Sequence, residues 1–207
     1  MSTSATPLSR TEKKRENILA VATELFLERG YDAVSLDDVL ERAGGSKTTL
    51  YSYYGGKEGL FSAIVHKTCL DKLSPLLLIE IGGLAPEAGL NAIGRGFLSI
   101  VANPEGRALF RMLVSEADRF PELAREFFAA GPETVTTLVS RHIEQWKQQG
   151  LLRAGNSETR AVQFLGIMLG NFHIKNLLGL TSPLSAKEIN DWVASGVTLF
   201  LLGCRVE

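Results

Sequence analysis

The sequence predicts an all-α protein of about nine helices, in which a small N-terminal helix-turn-helix domain precedes a larger helical bundle. Three observations predict it. Apolar residues recur at three- and four-residue spacing from Ile18 to Phe200. No run of alternating β-branched residues competes with that period, and glycine or proline punctuates it wherever a helix should stop.

Residues 1–9 are small, polar and proline-containing, and read as a disordered tail. They have no apolar centre, so they do not resemble a signal peptide. From Thr11 a first helix runs to Arg29, with Ile18, Val21, Ala22, Leu25 and Phe26 on one face and Gly30 as its stop. Ser35 reads as an N-cap, with Asp38 three residues on and a stripe of Leu36, Val39, Leu40 and Ala43. Gly44-Gly45 makes a turn, Ser46 caps a very short third helix, and Gly55-Gly56 ends it. These elements make residues 10–56 one domain.

A fourth helix over 57–74 carries Leu60, Phe61, Ile64 and Val65 toward Pro75 and joins this domain to residues 75–207. Leu90, Ile93, Phe97 and Val101 suggest a fifth, ended at Asn103-Pro104. Asn103 as cap and Pro104 as first-turn residue open a sixth, with Leu109, Phe110, Leu113 and Val114 inward. Pro121 opens a seventh that reaches Gln149, kinked or broken at Gly131-Pro132. The eighth runs from Ser157 to Leu178, and the ninth begins at a capping box, Ser185 to Glu188.

Composition excludes several functions. With 22 Lys and Arg against 23 Asp and Glu, the chain is no basic coat for nucleic acid. Residues 1–60 hold eight basic and nine acidic side chains, so DNA binding there rests on placement rather than bulk attraction. Cys69 and Cys204 lie far apart without a CxxC pair, which argues against zinc or a disulfide framework. No apolar run approaches 18 residues, so no membrane span is expected and the location reads as cytoplasmic.

The third helix carries the functional signal. On a wheel with Leu50 inward, Thr48 and Ser52 point away from the core and Thr49 and Tyr51 flank them, while Tyr53 and Tyr54 turn back. Small hydroxyls and an absence of acid suit a phosphate-lined groove, and Lys47 and Lys57 can reach phosphates. A polar surface turn would look similar in isolation. The order of helix, short helix, glycine turn and short helix favours DNA reading.

The segments ILAVATELFLERGYDAVSLDDVLERAG, SKTTLYSYY and GGKEGLF make residues Glu16 to Leu73 resemble the DNA-binding domain of the TetR family of bacterial transcriptional regulators. The resemblance implies DNA contacts at Ser35, Lys47, Thr48, Thr49, Tyr51, Tyr53 and Lys57, beside Ser52 from the wheel and the capping Ser46. Gly45 stands where the family often has a small apolar residue, and Thr48 where it often has glycine. The segment LFRMLVSEADRFPELAREFFAAGPETV is similar to the AefR-like branch of the family's C-terminal domain, which implies a helical bundle around an effector pocket.

The candidate lining of that pocket is Phe97, Phe110, Phe127, Trp146, Phe164, Met168 and Phe172, with Arg111, His142 and His173 as polar handles. Residues of these types at helical spacing are equally what a plain core requires. A homodimer is expected, with Gly166, Gly170, Ile189, Trp192, Val193, Gly196, Val197 and Phe200 as its interface. Packing within one chain would use such residues too. Two copies would place their reading helices about 34–36 Å apart on a palindromic operator.

The combined expectation is a ligand-responsive repressor released by an apolar or aromatic effector, with the fourth helix as lever. Alternatives are an activator with the same DNA mode and a helical small-molecule binder without a DNA role. A helical enzyme is disfavoured. HExxH, GxSxG and dinucleotide signatures are absent, GGSKTT lacks the glycines of a phosphate loop, and no cofactor or metal is implied.

Overall fold

A computed structural model describes residues 9–180 and 184–204, and every regular element among them is a helix. Of the tail expected at 1–9, residues 1–8 lie outside the described residues, as do 181–183 and 205–207, and Ser9 is part of the first helix's cap. The chain divides into two compact units, Met1–Lys67 and Thr68–Glu207, so the division falls inside the fourth helix.

In the first unit, α1 (Arg10–Arg29) begins one residue earlier than expected, because Ser9 and Glu12 form a capping box. α2 (Leu36–Ala43) has the expected Ser35–Asp38 box. Ser46 caps α3 (Lys47–Tyr54), and α4 (Lys57–Leu77) follows the left-handed Gly55. Ile18, Ala22, Leu25 and Phe26 of α1 are buried, as are Val39, Leu50, Leu60, Phe61 and Ile64. Tyr31 completes the core, with its ring 5.6 Å from Phe26 and 4.9 Å from Phe61.

One glycine here is obligatory. A Cβ at Gly59 would stand 1.9 Å from the Tyr54 carbonyl oxygen, so α4 meets the end of α3 only because that side chain is missing. The expected connecting helix also runs past Pro75 to Leu77. Pro75 lies within three residues of the helix end, where one lost backbone bond costs little continuity.

The second unit contains α5 (Pro86–Val101), α6 (Pro104–Glu116), α7 (Pro121–Phe128), a π-helical turn (Ala129–Glu133), α8 (Thr134–Gln148), α9 (Ser157–Leu177) and α10 (Ala186–Leu202). From α7 to α8 the helix is continuous, so it widens at Gly131-Pro132 instead of breaking. Pro132 supplies no N–H, and the wider turn absorbs the loss. Thr134 Oγ1 donates to the Ala129 carbonyl at 3.1 Å and Thr136 Oγ1 to that of Pro132 at 2.9 Å.

The core of this unit packs α5 between α8, α9 and α10, with Leu90, Ile93, Val139, Ile143, Phe164, Met168, Val193 and Val197 fully buried. On α6 the inward residues are Leu109, Met112 and Leu113, whereas Val114, expected inward, is exposed. α9 is bent at Gly170, whose φ of 44° and ψ of −145° leave the helical region. The bend frees the Met168 carbonyl, and the Trp192 indole N–H donates to it at 2.9 Å.

Candidate nucleic-acid interface

α3 is held from within so that its outer face stays open. The Thr49 amide donates to Ser46 Oγ at 3.2 Å, and Ser52 Oγ turns back to the Thr49 carbonyl at 2.8 Å. Leu50 is fully buried and Tyr54 nearly so. The Tyr54 hydroxyl donates to the Arg15 carbonyl at 2.8 Å, fixing α3 against α1, and burial pushes its pKa up. Thr48, Tyr51 and Ser52 are exposed together, and Thr49 and Tyr53 are half-buried beside them. The wheel and the fold agree on this division.

The sites flanking α3 are more constrained than expected. Ser46 is occupied as a cap, and Ser35 Oγ accepts from the Asp38 amide at 3.1 Å and donates to its carboxylate at 2.5 Å. Lys57 does not project outward: Nζ lies 4.4 Å from the Tyr31 ring centroid and donates to the Asp32 carbonyl at 3.4 Å. Lys47 reaches out, but Nζ is 2.9 Å from Asp37 Oδ2. Hydrogen bonding to Asp37 raises its pKa, so it stays cationic. Gly45 holds a φ of 120°, and a Cβ there would press on Lys14 Cε at 3.2 Å, which explains glycine at that turn. Asn17 was not picked out by sequence, since its amide donates 26 residues away to the Ala43 carbonyl at 2.9 Å.

The candidate effector residues divide into groups. Phe164, Met168 and Trp146 are core, and the Trp146 N–H donates to the Leu84 carbonyl at 3.0 Å. Phe97 packs against that core, Phe172 is half-buried and Arg111 is exposed. His142 pairs with Gln145 Oε1 at 3.1 Å and leans on Trp146, with burial lowering its pKa. Phe110 and Phe127 do come together, their centroids 5.6 Å apart. His173 joins them, 5.3 Å from Phe110, and its Nδ1 is buried with no hydrogen-bond partner. Burial lowers its pKa, keeping the imidazole neutral.

The expected interface also requires correction. Val193, Gly196, Val197 and Phe200 are buried within the chain, and a Cβ at Gly196 would meet Met168 Cε at 2.4 Å. Ile189 packs on the same core, and Gly170 lies under the Trp192 ring. Gly166, Gly170 and Trp192 are exposed, and Gly166 lies in a groove of about 610 Å³ with Gln163, Ile167, Leu199 and Cys204. Val162, Leu199 and Leu202 are large exposed apolar residues on the same two helices. Burial on α10 recurs every three or four residues, which turns Val193, Gly196, Val197 and Phe200 inward and leaves Trp192 exposed.

No helix among the described residues is long and apolar enough to cross a membrane. Residues 18–64 match the N-terminal domain of "Bacterial regulatory proteins, tetR family", and residues 88–203 match the "AefR-like transcriptional repressor, C-terminal domain". Among curated relatives, the transcriptional activator FasR of Mycolicibacterium smegmatis is 36% identical over 56 residues, 27% of this chain and 26% of its own. The repressor ComR of Escherichia coli is 42% identical over 53 residues, 26% of this chain and 25% of its own. The chain thus aligns with about a quarter of the length of each of these two. A TetR-family regulator from Mesorhizobium loti superposes with a TM-score of 0.87 at 24% identity, over 96% of this chain and all of that one, a likeness of fold. The flavonoid-responsive regulator FrrA superposes with a TM-score of 0.81 at 30% identity, over 94% of this chain and 98% of its own.

Proposed function

The chain belongs to the TetR family of bacterial transcriptional regulators, and we propose that it is a ligand-responsive repressor that binds a palindromic operator as a homodimer. The observation that carries the reading is α3, a capped helix with a fixed inner side and an outer side of Thr48, Tyr51 and Ser52. The small hydroxyl side chains of Thr48 and Ser52 let the α3 backbone approach DNA closely. One such helix contacts few base pairs, so a second copy supplies specificity. The exposed Val162, Leu199 and Leu202 around the Gly166 groove support that second copy as the partner of α9 and α10.

The effector reading rests on Phe110, Phe127 and His173. Likeness to a flavonoid-responsive regulator supports a planar aromatic effector. Its binding acts by population shift, favouring a dimer whose reading helices are wrongly spaced. Likeness to FasR, named an activator, supports the same DNA mode with the opposite sign, set by where the operator lies.

The test is a mobility shift with the full chain and duplex from upstream of its own coding sequence, against random competitor. Specific retardation, weakened by Tyr51→Ala and relieved by an aromatic compound, is the expected result. No retarded band at low salt would rule out a DNA-binding role.

A further inference from the structure

The lysine of α3 is engaged before any DNA arrives. Its Nζ donates to Asp37 Oδ2 at 2.9 Å, with the two side chains 62% and 69% exposed. Asp37 is not needed to cap α2, because Ser35 and Asp38 supply both halves of the capping box. It sits one position earlier, in the first turn of α2, and brings a carboxylate to the edge of the surface that would meet phosphates. The other lysine of this face, Lys57, is folded over the Tyr31 ring. Both cations are therefore engaged within the chain.

We propose that Asp37 is a specificity-determining residue, competing with DNA phosphate for the Lys47 ammonium. The inference rests on the DNA-binding reading above. Nonspecific affinity is built almost entirely from phosphate contacts, each releasing counterions. On nonspecific duplex, Lys47 gains little by leaving one anion for another, and Asp37 repels the backbone if deserted. On the operator, base contacts by the rest of α3 hold the helix deep enough for Lys47 to change partners. An exposed pair suits this task, because it is weak enough to exchange. Asp37 thus weakens binding everywhere, and weakens it most where there is nothing to read.

The experiment measures affinity against salt concentration for the full chain on two duplexes. One is the upstream fragment it retards most tightly, and the other is the same base composition scrambled. Asp37→Asn should tighten the scrambled duplex severalfold and steepen its log–log salt slope by about one, the value of one added phosphate contact. The fragment should gain less, so the ratio between the two falls. Asp37→Glu, which keeps the carboxylate, should stay near wild type.

In a Lys47→Ala background Asp37→Asn should relieve only the repulsion of a lone carboxylate and tighten both duplexes alike, because its preference for the scrambled duplex requires the pair. A second arm needs no change at Asp37: Lys47→Ala should lower the slope on the fragment by about one and on the scrambled duplex by much less. A preference of Asp37→Asn for the scrambled duplex that persists without Lys47, equal tightening of both duplexes when Lys47 is present, or equal slope changes in the second arm would each overturn the proposal. A wild-type chain that retards neither duplex would instead sink the DNA reading on which it rests.

Discussion

Lys47 and Lys57 carry the same charge in the same small unit, yet they meet different surroundings. Lys47 ends on an exposed carboxylate and can leave it. Lys57 ends on an aromatic face and a backbone carbonyl. Lys57→Ala should therefore cost folding stability of about 0.5–1 kcal/mol, read as a lower denaturant midpoint, because a partly exposed cation–π contact is lost. Lys47→Ala should leave that midpoint nearly unchanged and act on DNA instead. Substitutions at Thr48 should alter base preference, measured by selection from randomised duplexes, since its side chain is exposed on the outer side of α3. The wheel could separate Leu50 and Tyr54 from Thr48 and Ser52, because period and burial are local properties. It could not find the engagement of Lys57, whose ring partner Tyr31 lies 26 positions earlier in the chain and stands outside any helix.

At the level of elements, close approach and charge networks make the claims. α5 meets α8 where a Cβ at Gly89 would lie 2.5 Å from the Trp146 ring and 2.9 Å from Ile81. That ring cannot swing away without losing its bond to the Leu84 carbonyl. Gly89→Ala should destabilise by about 1–3 kcal/mol in denaturant unfolding, as overpacking does. Between α8 and α9, Glu144 accepts from Lys147 at 2.8 Å and from Ser157 at 2.6 Å. Those hydrogen bonds hold its carboxyl down to about 2. A depressed carboxylate pKa contributes stability that is full above the ordinary glutamate range and disappears as pH falls through the folded value. Wild type and Glu144→Gln should thus differ in melting temperature near neutral pH and converge as pH falls from about 4.5 toward 2. Caps at Ser35, Ser46, Asn103 and Ser185 were legible because cap and first turn adjoin in sequence. The π turn was legible only as an interruption, since Pro132 announces a missing donor without saying whether the helix breaks or widens.

Across the whole molecule, the proposed homodimer rests on the outward side of α9 and α10. Leu199→Glu should yield a monomer by light scattering and lose operator retardation, with far-UV circular dichroism unchanged because that side chain is 63% exposed. Val197→Glu, at a fully buried position two residues earlier on the opposite side of α10, should unfold the unit instead. The family could be read from the first 73 residues, where caps and turns follow one another closely. Which side of α10 faces inward could not, because small and branched residues serve an inner contact as well as an outer one.

The bend in α9 has a consequence for the order in which the chain assembles. The Met168 carbonyl is completed by an indole from α10, and the same ring lies against Gly170. While the chain is being synthesised, α9 leaves the ribosome before its partner exists. Its middle must either stay straight or leave a backbone acceptor to water until Trp192 arrives. A chain ending before Ser185 should accordingly be cut near Gly170 by limited proteolysis, whereas the full chain resists. The shape of α9 is decided by a residue some twenty positions downstream of the bend, so this helix acquires its final form only when α10 docks.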